Sequence, residues 1–174
     1  MGQGDNKFRN ELRSLIPRLR RFGHAITGSA DLGDDLVQDA LEKALSREEQ
    51  YREGTRLDSW MYKIMQNTWI DSRRAAARQR QVVQPMGEDT TAVSEDGRDA
   101  FDARISLRQV REMMTRLHDD ERTVLALVSI DGLTYQQAAD ATGVPIGTVM
   151  SRLARARSKL LQLLGGVNPI AKEG

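Results

Sequence analysis

Apolar residues recur at three- and four-residue steps along most of the chain, the spacing that places side chains on one face of an α-helix. Phe8, Leu12, Leu15, Ile16, Leu19, Phe22 and Ile26 form the first such stripe, which ends at Thr27-Gly28. Pro17 lies near its middle, so the pattern predicts one kinked helix or a broken pair. A second helix starts at Asp31 or Gly33 and buries Leu36, Val37, Ala40, Leu41, Ala44 and Leu45. Its outer face carries Asp34, Asp35, Gln38, Asp39 and Glu42. After a polar connection from Glu48 to Arg56, Asp58 or Ser59 caps a third helix with Leu57, Trp60, Met61, Ile64, Met65 and Thr68 inward. The far side of that helix reads Lys63, Asn67, Asp71, Arg74, Arg78.

The pattern lapses over residues 85–104 and then resumes. Ile105, Leu107, Val110, Met113, Met114 and Leu117 share one stripe; Asp119 or Asp120 caps the next helix, with Val124, Leu125, Leu127, Val128 and Ile130. Leu133 to Val149 then reads as a short helix with Ala138 and Ala139, a turn at Gly143, and a second helix opened by Pro145 to Thr148. Small residues permit close helix approach and glycine permits a left-handed turn, which is the grammar of a helix-turn-helix. No alternating strand pattern and no internal repeat occurs. The predicted fold is all-α: two small helical domains, residues 1–84 and 105–165, joined by a flexible linker at 85–104 and followed by a tail at 166–174.

Composition narrows the function classes. With 174 residues the chain has room for one medium domain or two small ones. It has no cysteine and two histidines, His24 and His118, so disulfides, thiolate metal sites and a cysteine nucleophile are excluded, and no metal or other cofactor is expected. The N-terminal run Met1 to Asn6 lacks an apolar signal segment, which points to the cytoplasm, and no apolar run is long enough for a membrane. The net charge of +1 conceals an uneven distribution. Residues 1–84 hold 15 basic and 12 acidic groups, residues 85–104 hold 2 and 6, and residues 105–174 hold 9 and 7. Two cationic patches stand out, Arg73, Arg74, Arg78, Arg80 and Arg152, Arg155, Arg157, Lys159, each within a stretch free of acids.

On the last helix the apolar stripe of Ile146, Val149, Leu153, Ala156 and Leu160 leaves Thr148, Ser151, Arg152, Arg155 and Lys159 together on another face. Arginine forks match guanine edges and phosphates while hydroxyls donate to bases, so this face suits a DNA duplex better than a merely solvated helix end. The acidic face of the second helix admits a solvated surface, a dock for a basic partner, or carboxylates for metal chemistry. Taken alone it favours the solvated surface. Trp60 reads as core. There is no phosphate-cradling glycine loop and no serine elbow, and nothing requires a catalytic pocket.

Three runs, Asp34-Asp35-Leu36-Val37-Gln38-Asp39-Ala40-Leu41, Leu57 to Asn67 with Ile70-Asp71-Ser72-Arg73-Arg74, and Gly147 to Arg157, resemble regions 2 and 4 of bacterial sigma-70-type factors of the extracytoplasmic function (ECF) class. The resemblance extends from about Phe8 to Leu164 with the motifs in the family's order. It implies that Asp35, Gln38, Asp39 and Glu42 dock on the β′ clamp helices of core RNA polymerase, with the β flap as a further contact. It implies that Asn67, Asp71, Arg73 and Arg74 meet the separated strand of the −10 element. Thr148, Ser151, Arg152, Arg155 and Lys159 would read the −35 element of promoter DNA, and the acidic linker would thread the polymerase RNA-exit path. An anti-sigma factor is implied as a regulator, and no reaction of its own is expected. Met150 stands where many members place Lys or Arg, and no strand-melting aromatic cluster is evident around Trp60 to Trp69. The alternatives are a sigma-like decoy that sequesters an anti-sigma factor and a simple helix-turn-helix repressor.

Overall fold

The computed structural model describes residues 3–82 and 107–165, and all regular structure among them is helical. The predicted linker at 85–104, the tail at 166–174 and Ile105 fall outside the described residues.

Helix α1 (Gln3–Thr27) is continuous through Pro17 rather than broken. The proline removes one backbone donor, which would have met the carbonyl of Arg13; Arg13 and Pro17 both lie on the exposed side, where water serves that carbonyl. The helix stops at Gly28, whose φ of 74° is left-handed. Helix α2 (Ala30–Ser46) begins earlier than the acid-rich pattern suggested. Ser29 is its cap, its hydroxyl accepting from the Leu32 N–H at 3.4 Å, so Gly33 lies inside the helix rather than at its start. That glycine has a packing role. α2 runs back along α1 with Gly23 and Gly33 at the closest approach, where a Cβ on Gly33 would lie 2.7 Å from the His24 backbone nitrogen.

Helix α3 (Leu57–Val82) closes this first domain. Leu19, Phe22 and Ile26 from α1, Leu36, Val37 and Ala40 from α2, and Met61 and Met65 from α3 form its interior, each burial worth about 1.5–3 kcal/mol for the large side chains. Tyr62 is buried as well, its ring edge-on to Phe22 at 4.9 Å. Asp58 is buried at the start of α3 and accepts from the Ser59 N–H at 2.8 Å. A 3₁₀ turn at Glu48–Gln50 leads into the α2–α3 loop, pinned by Phe8, Tyr51 and Trp60, whose rings lie 5.4–6.2 Å apart.

The second domain holds α4 (Leu107–Thr115), α5 (Asp119–Leu125), a π-helical turn Ala126–Ile130, α6 (Tyr135–Thr142) and α7 (Ile146–Gly165). His118, not Asp119 or Asp120, occupies the cap position of α5, without a side-chain bond. Thr134 and Gln137 make a reciprocal capping box on α6, and Gly143 ends that helix at φ 71°, the turn expected of a helix-turn-helix. Three expected core residues are outside it: Val110, Ile130 and Ile146 are exposed.

The two domains pack on each other. α3 lies against α6, and the π-helical turn abuts α1. Asp131, at the end of that turn, inserts its carboxylate beside Tyr62 and 3.8 Å from Arg21, with no exposed side-chain surface. Burial raises its pKa, opposed by Tyr62, Arg18 and Arg21; burial and the facing carboxylate likewise push the Tyr62 phenol far up. Neither group completes a well-formed hydrogen bond, so the contact carries unpaired polar atoms.

Candidate nucleic-acid and protein interfaces

On α7 the buried stripe is Val149, Leu153 and Ala156. At 100° per residue, Thr148, Arg152, Arg155 and Lys159 form one strip beside that stripe, and Ser151 lies at its outer edge. Thr148, Arg152 and Lys159 are half-buried, whereas Ser151 and Arg155 are exposed. The side directly opposite the core presents Gly147, Ser151, Ala154 and Ser158, so the cationic strip is a flank and not the far face. Its arginines already hold carboxylates from α5: Arg152 Nη2 donates to Asp120 at 2.6 Å and Arg155 Nε to Glu121 at 3.1 Å. These ties orient both guanidinium groups at the start of the helix-turn-helix and leave part of each fork open. Arg122 anchors the same region from inside, donating to Asp119 at 2.5 Å; burial lowers its pKa while Asp119 opposes that shift.

The strand-contacting set expected on α3 divides. Asn67, Asp71 and Arg74 follow one another at helical spacing and line one cleft of about 360 Å³ between α2 and α3. Arg73 points elsewhere: it donates to Asp119 of the second domain at 2.9 Å and stacks over the Trp69 ring at 5.7 Å. Helical spacing already set Arg74, about 100° from Arg73, on the face with Asn67 and Asp71; what it could not show is that the docked second domain supplies Arg73 with a partner. It also missed Lys43, Arg47 and Thr68, which complete the cleft. Lys43 lies beside the acidic row in sequence, yet its side chain turns to α3 and donates to Thr68 Oγ1 at 3.0 Å.

On α2 the residues Asp35, Gln38, Asp39 and Glu42 stand exposed in one row, with Gln38 donating to Glu42 at 3.1 Å. Asp34 leaves the row. It accepts two bonds from Arg20 (2.9 and 2.6 Å) and contacts His24 Nε2 at 2.7 Å, and those partners lower its pKa to about 2. Leu45, expected in the core, is exposed. With Leu12, Ile16 and Leu41 it lines an apolar groove of about 310 Å³ edged by Arg9 and Arg13. The acidic row thus lies beside the exposed Leu45 and the half-buried Ile16 and Leu41. The missed signal is the width of the stripe, since α1 and α3 cover only part of it.

Among the described residues there is no cluster of three or more potential metal ligands, and no helix is long and apolar enough to cross a membrane.

Residues 12–66 match the family described as the Sigma2 domain of PhyR, and residues 107–160 match Sigma-70, region 4. The ECF RNA polymerase sigma factor EcfG of Rhodopseudomonas palustris (strain TIE-1) is 34% identical over 160 residues, spanning 91% of this chain and 86% of that protein. SigM of Mycobacterium tuberculosis is 29% identical over 168 residues, spanning 94% and 78%. Among solved structures, the sigma factor RpoE from Bartonella quintana, crystallised in complex with the anti-sigma factor NepR, has a TM-score of 0.77 at 30% identity and covers 91% of this chain and 97% of its own. CnrH, in complex with the cytosolic domain of CnrY, shares the fold at TM-score 0.67 and 21% identity. Two helical domains in the order region 2 then region 4, matched along nearly their whole length by named relatives, make this chain a member of the ECF sigma factors.

Proposed function

We propose that this chain is the promoter-specificity subunit of an RNA polymerase, docking on the core enzyme through α2 and directing it to promoters with −35 and −10 elements, under the control of an anti-sigma factor. The reading rests on one observation: each domain matched to the sigma family exposes the charged surface that its role requires. Asp35, Gln38, Asp39 and Glu42, with the leucine groove beside them, suit a basic clamp helix of the core enzyme. Asn67, Asp71 and Arg74 offer an amide, an acceptor and a cation to an unstacked nucleotide. Thr148, Ser151, Arg152, Arg155 and Lys159 flank the entry of α7 into a major groove. Arg73 serves first as a tie to the second domain and reaches the strand once that tie opens.

The chain brings binding energy and no reaction of its own. Opening a promoter costs a few kcal/mol per unstacked base, which the cleft and the polymerase must supply. A small helical anti-sigma factor is the partner class suggested by the complex of RpoE with NepR. Control of that kind needs no metal or thiol on this chain.

A second reading, a decoy that sequesters an anti-sigma factor, draws support from the first domain's match to PhyR, which is an anti-anti-sigma factor in complex with NepR. Run-off transcription with purified chain and core polymerase on a fragment library separates the two. Promoter-specific transcripts that vanish with Asp39→Lys are expected. Absence of any transcript, together with tight binding to a small helical anti-sigma protein, overturns the first reading for the second.

A further inference from the structure

Three consecutive acids open α5, and each holds an arginine assigned above to DNA. Asp119 accepts from Arg73 of the first domain at 2.9 Å, Asp120 from Arg152 at 2.6 Å, and Glu121 from Arg155 at 3.1 Å. Acids in a first turn suit the helix dipole, but the dipole does not choose their partners. All three carboxylates and the two α7 guanidinium groups line one open cleft of about 610 Å³, so its cations are already matched without a phosphate. The two pairs with α7 are buried from opposite ends. The Arg152 side chain is 18% exposed against 49% for Asp120, so Arg152 presents little of its fork while Asp120 holds it. Arg155 is 61% exposed but Glu121 only 9%, and moving Arg155 away strips a buried carboxylate of that cation.

We infer that Asp120 and Glu121 compete with promoter DNA for Arg152 and Arg155, so that the −35 duplex binds by displacing two carboxylates of its own reader. This rests on the −35 reading above. The cost falls on every duplex alike, and it holds the free chain off non-specific DNA until contacts through the core enzyme are added. Asp119 repeats the arrangement across the domain boundary at lower cost. It keeps the buried Arg122 as a second partner at 2.5 Å, so Arg73 can leave without stranding a charge.

The test uses the full chain, free and assembled with core polymerase, titrated with a duplex carrying the −35 element of a promoter recovered by run-off transcription. Asp120→Asn should tighten binding by about 1.4- to 5-fold, the worth of a solvent-accessible ion pair. Glu121→Gln should tighten it at least as much, because its carboxylate is buried. Both should lower Tm slightly, since the first turn of α5 loses an acid. Asp140, whose carboxylate takes its bond from Gln136, supplies the control for bare loss of negative charge: Asp140→Asn should tighten binding less. The deciding measurement is the cycle with the arginines. Glu121→Gln should have no effect on affinity in an Arg155→Ala chain, nor Asp120→Asn in an Arg152→Ala chain. Equal tightening with and without the arginine means that the acids repel DNA at a distance, and overturns the competition. Unchanged or weaker binding by the acid variants overturns it too, the carboxylates then serving only to aim the arginines. In both cases the −35 reading stands as long as Arg152→Ala and Arg155→Ala weaken binding. If those two bind the duplex as tightly as wild type, the −35 reading falls and the inference with it.

Discussion

Replacing Gly33 with alanine sets two effects of opposite sign against each other. Inside a helix the change ordinarily stabilises, by about 0.8–1.0 kcal/mol, because glycine loses more backbone entropy on folding. Here the new methyl group would lie 2.5 Å from His24 Cδ2, 2.7 Å from the His24 nitrogen and 2.8 Å from the Gly23 carbonyl carbon. Two of those atoms are backbone and cannot swing aside. Restoring about 3.4 Å to the nitrogen requires α1 and α2 to part by about 0.7 Å, and overpacking of that kind costs about 1–3 kcal/mol. A gap of 0.5–1 Å also forfeits roughly a quarter to a half of each dispersion contact along the seam formed by Phe22, Val37 and Ala40. The expected net effect is destabilisation of about 1–2 kcal/mol, or about 2–8 °C in Tm for a chain of this size. Gly147→Ala is the control: nothing lies within 4 Å of its added Cβ, so the propensity gain stands alone and Tm should rise. Thermal unfolding followed by helical circular dichroism reads both. A Gly33→Ala protein as stable as wild type, or more stable, would refute the close-packed α1–α2 crossing.

Asp131→Asn should stabilise the chain at neutral pH. The folded-state pKa of Asp131 is raised above 3.8, so its ionised form is disfavoured in the folded state, and the cost sets in as pH climbs through the raised value and is absent below 3.8. Tm profiles of the two proteins should therefore diverge at neutral pH and converge in acid; parallel profiles would place Asp131 in solvent. Thr134→Ala removes half of the capping box on the eight-residue helix α6 and should cost about 1 kcal/mol, read as faster amide exchange there than at α1. Arg155→Ala should weaken −35 duplex binding by holoenzyme, with about 1–3 kcal/mol of discrimination lost at one base pair, whereas Glu121→Gln frees the same guanidinium and should strengthen binding. Equal affinity of wild type and both variants would remove Arg155 from the groove.

What could be read from sequence in this chain is what local physics controls. Apolar spacing specified the helices α1 to α7, because a period of 3.6 residues is a property of a short segment. Gly143 and the small residues Ala138 and Ala139 located the helix-turn-helix for the same reason: the left-handed turn and the close approach are decided within a few residues. Asp35, Gln38, Asp39 and Glu42 could be placed on one exposed face, and Asn67, Asp71 and Arg74 on another, from helical geometry alone.

The tertiary structure decided which neighbour covers each face. Leu45 and Ile146 obey the apolar pattern and are exposed, since the partner helices are narrower than the stripes they meet. Arg73 and Arg74 lie on different faces by helical spacing, but only the docked second domain shows that Arg73 is held by Asp119 while Arg74 lines the cleft. Lys43 joined α3, and Asp131 was buried beside Tyr62 sixty-nine positions away in the chain, through contacts between segments far apart in sequence. Burial and charge pairing depend on such contacts, whereas periodicity and capping do not. That is why the helices and their faces were legible in the sequence, and the closure of one domain on the other was not.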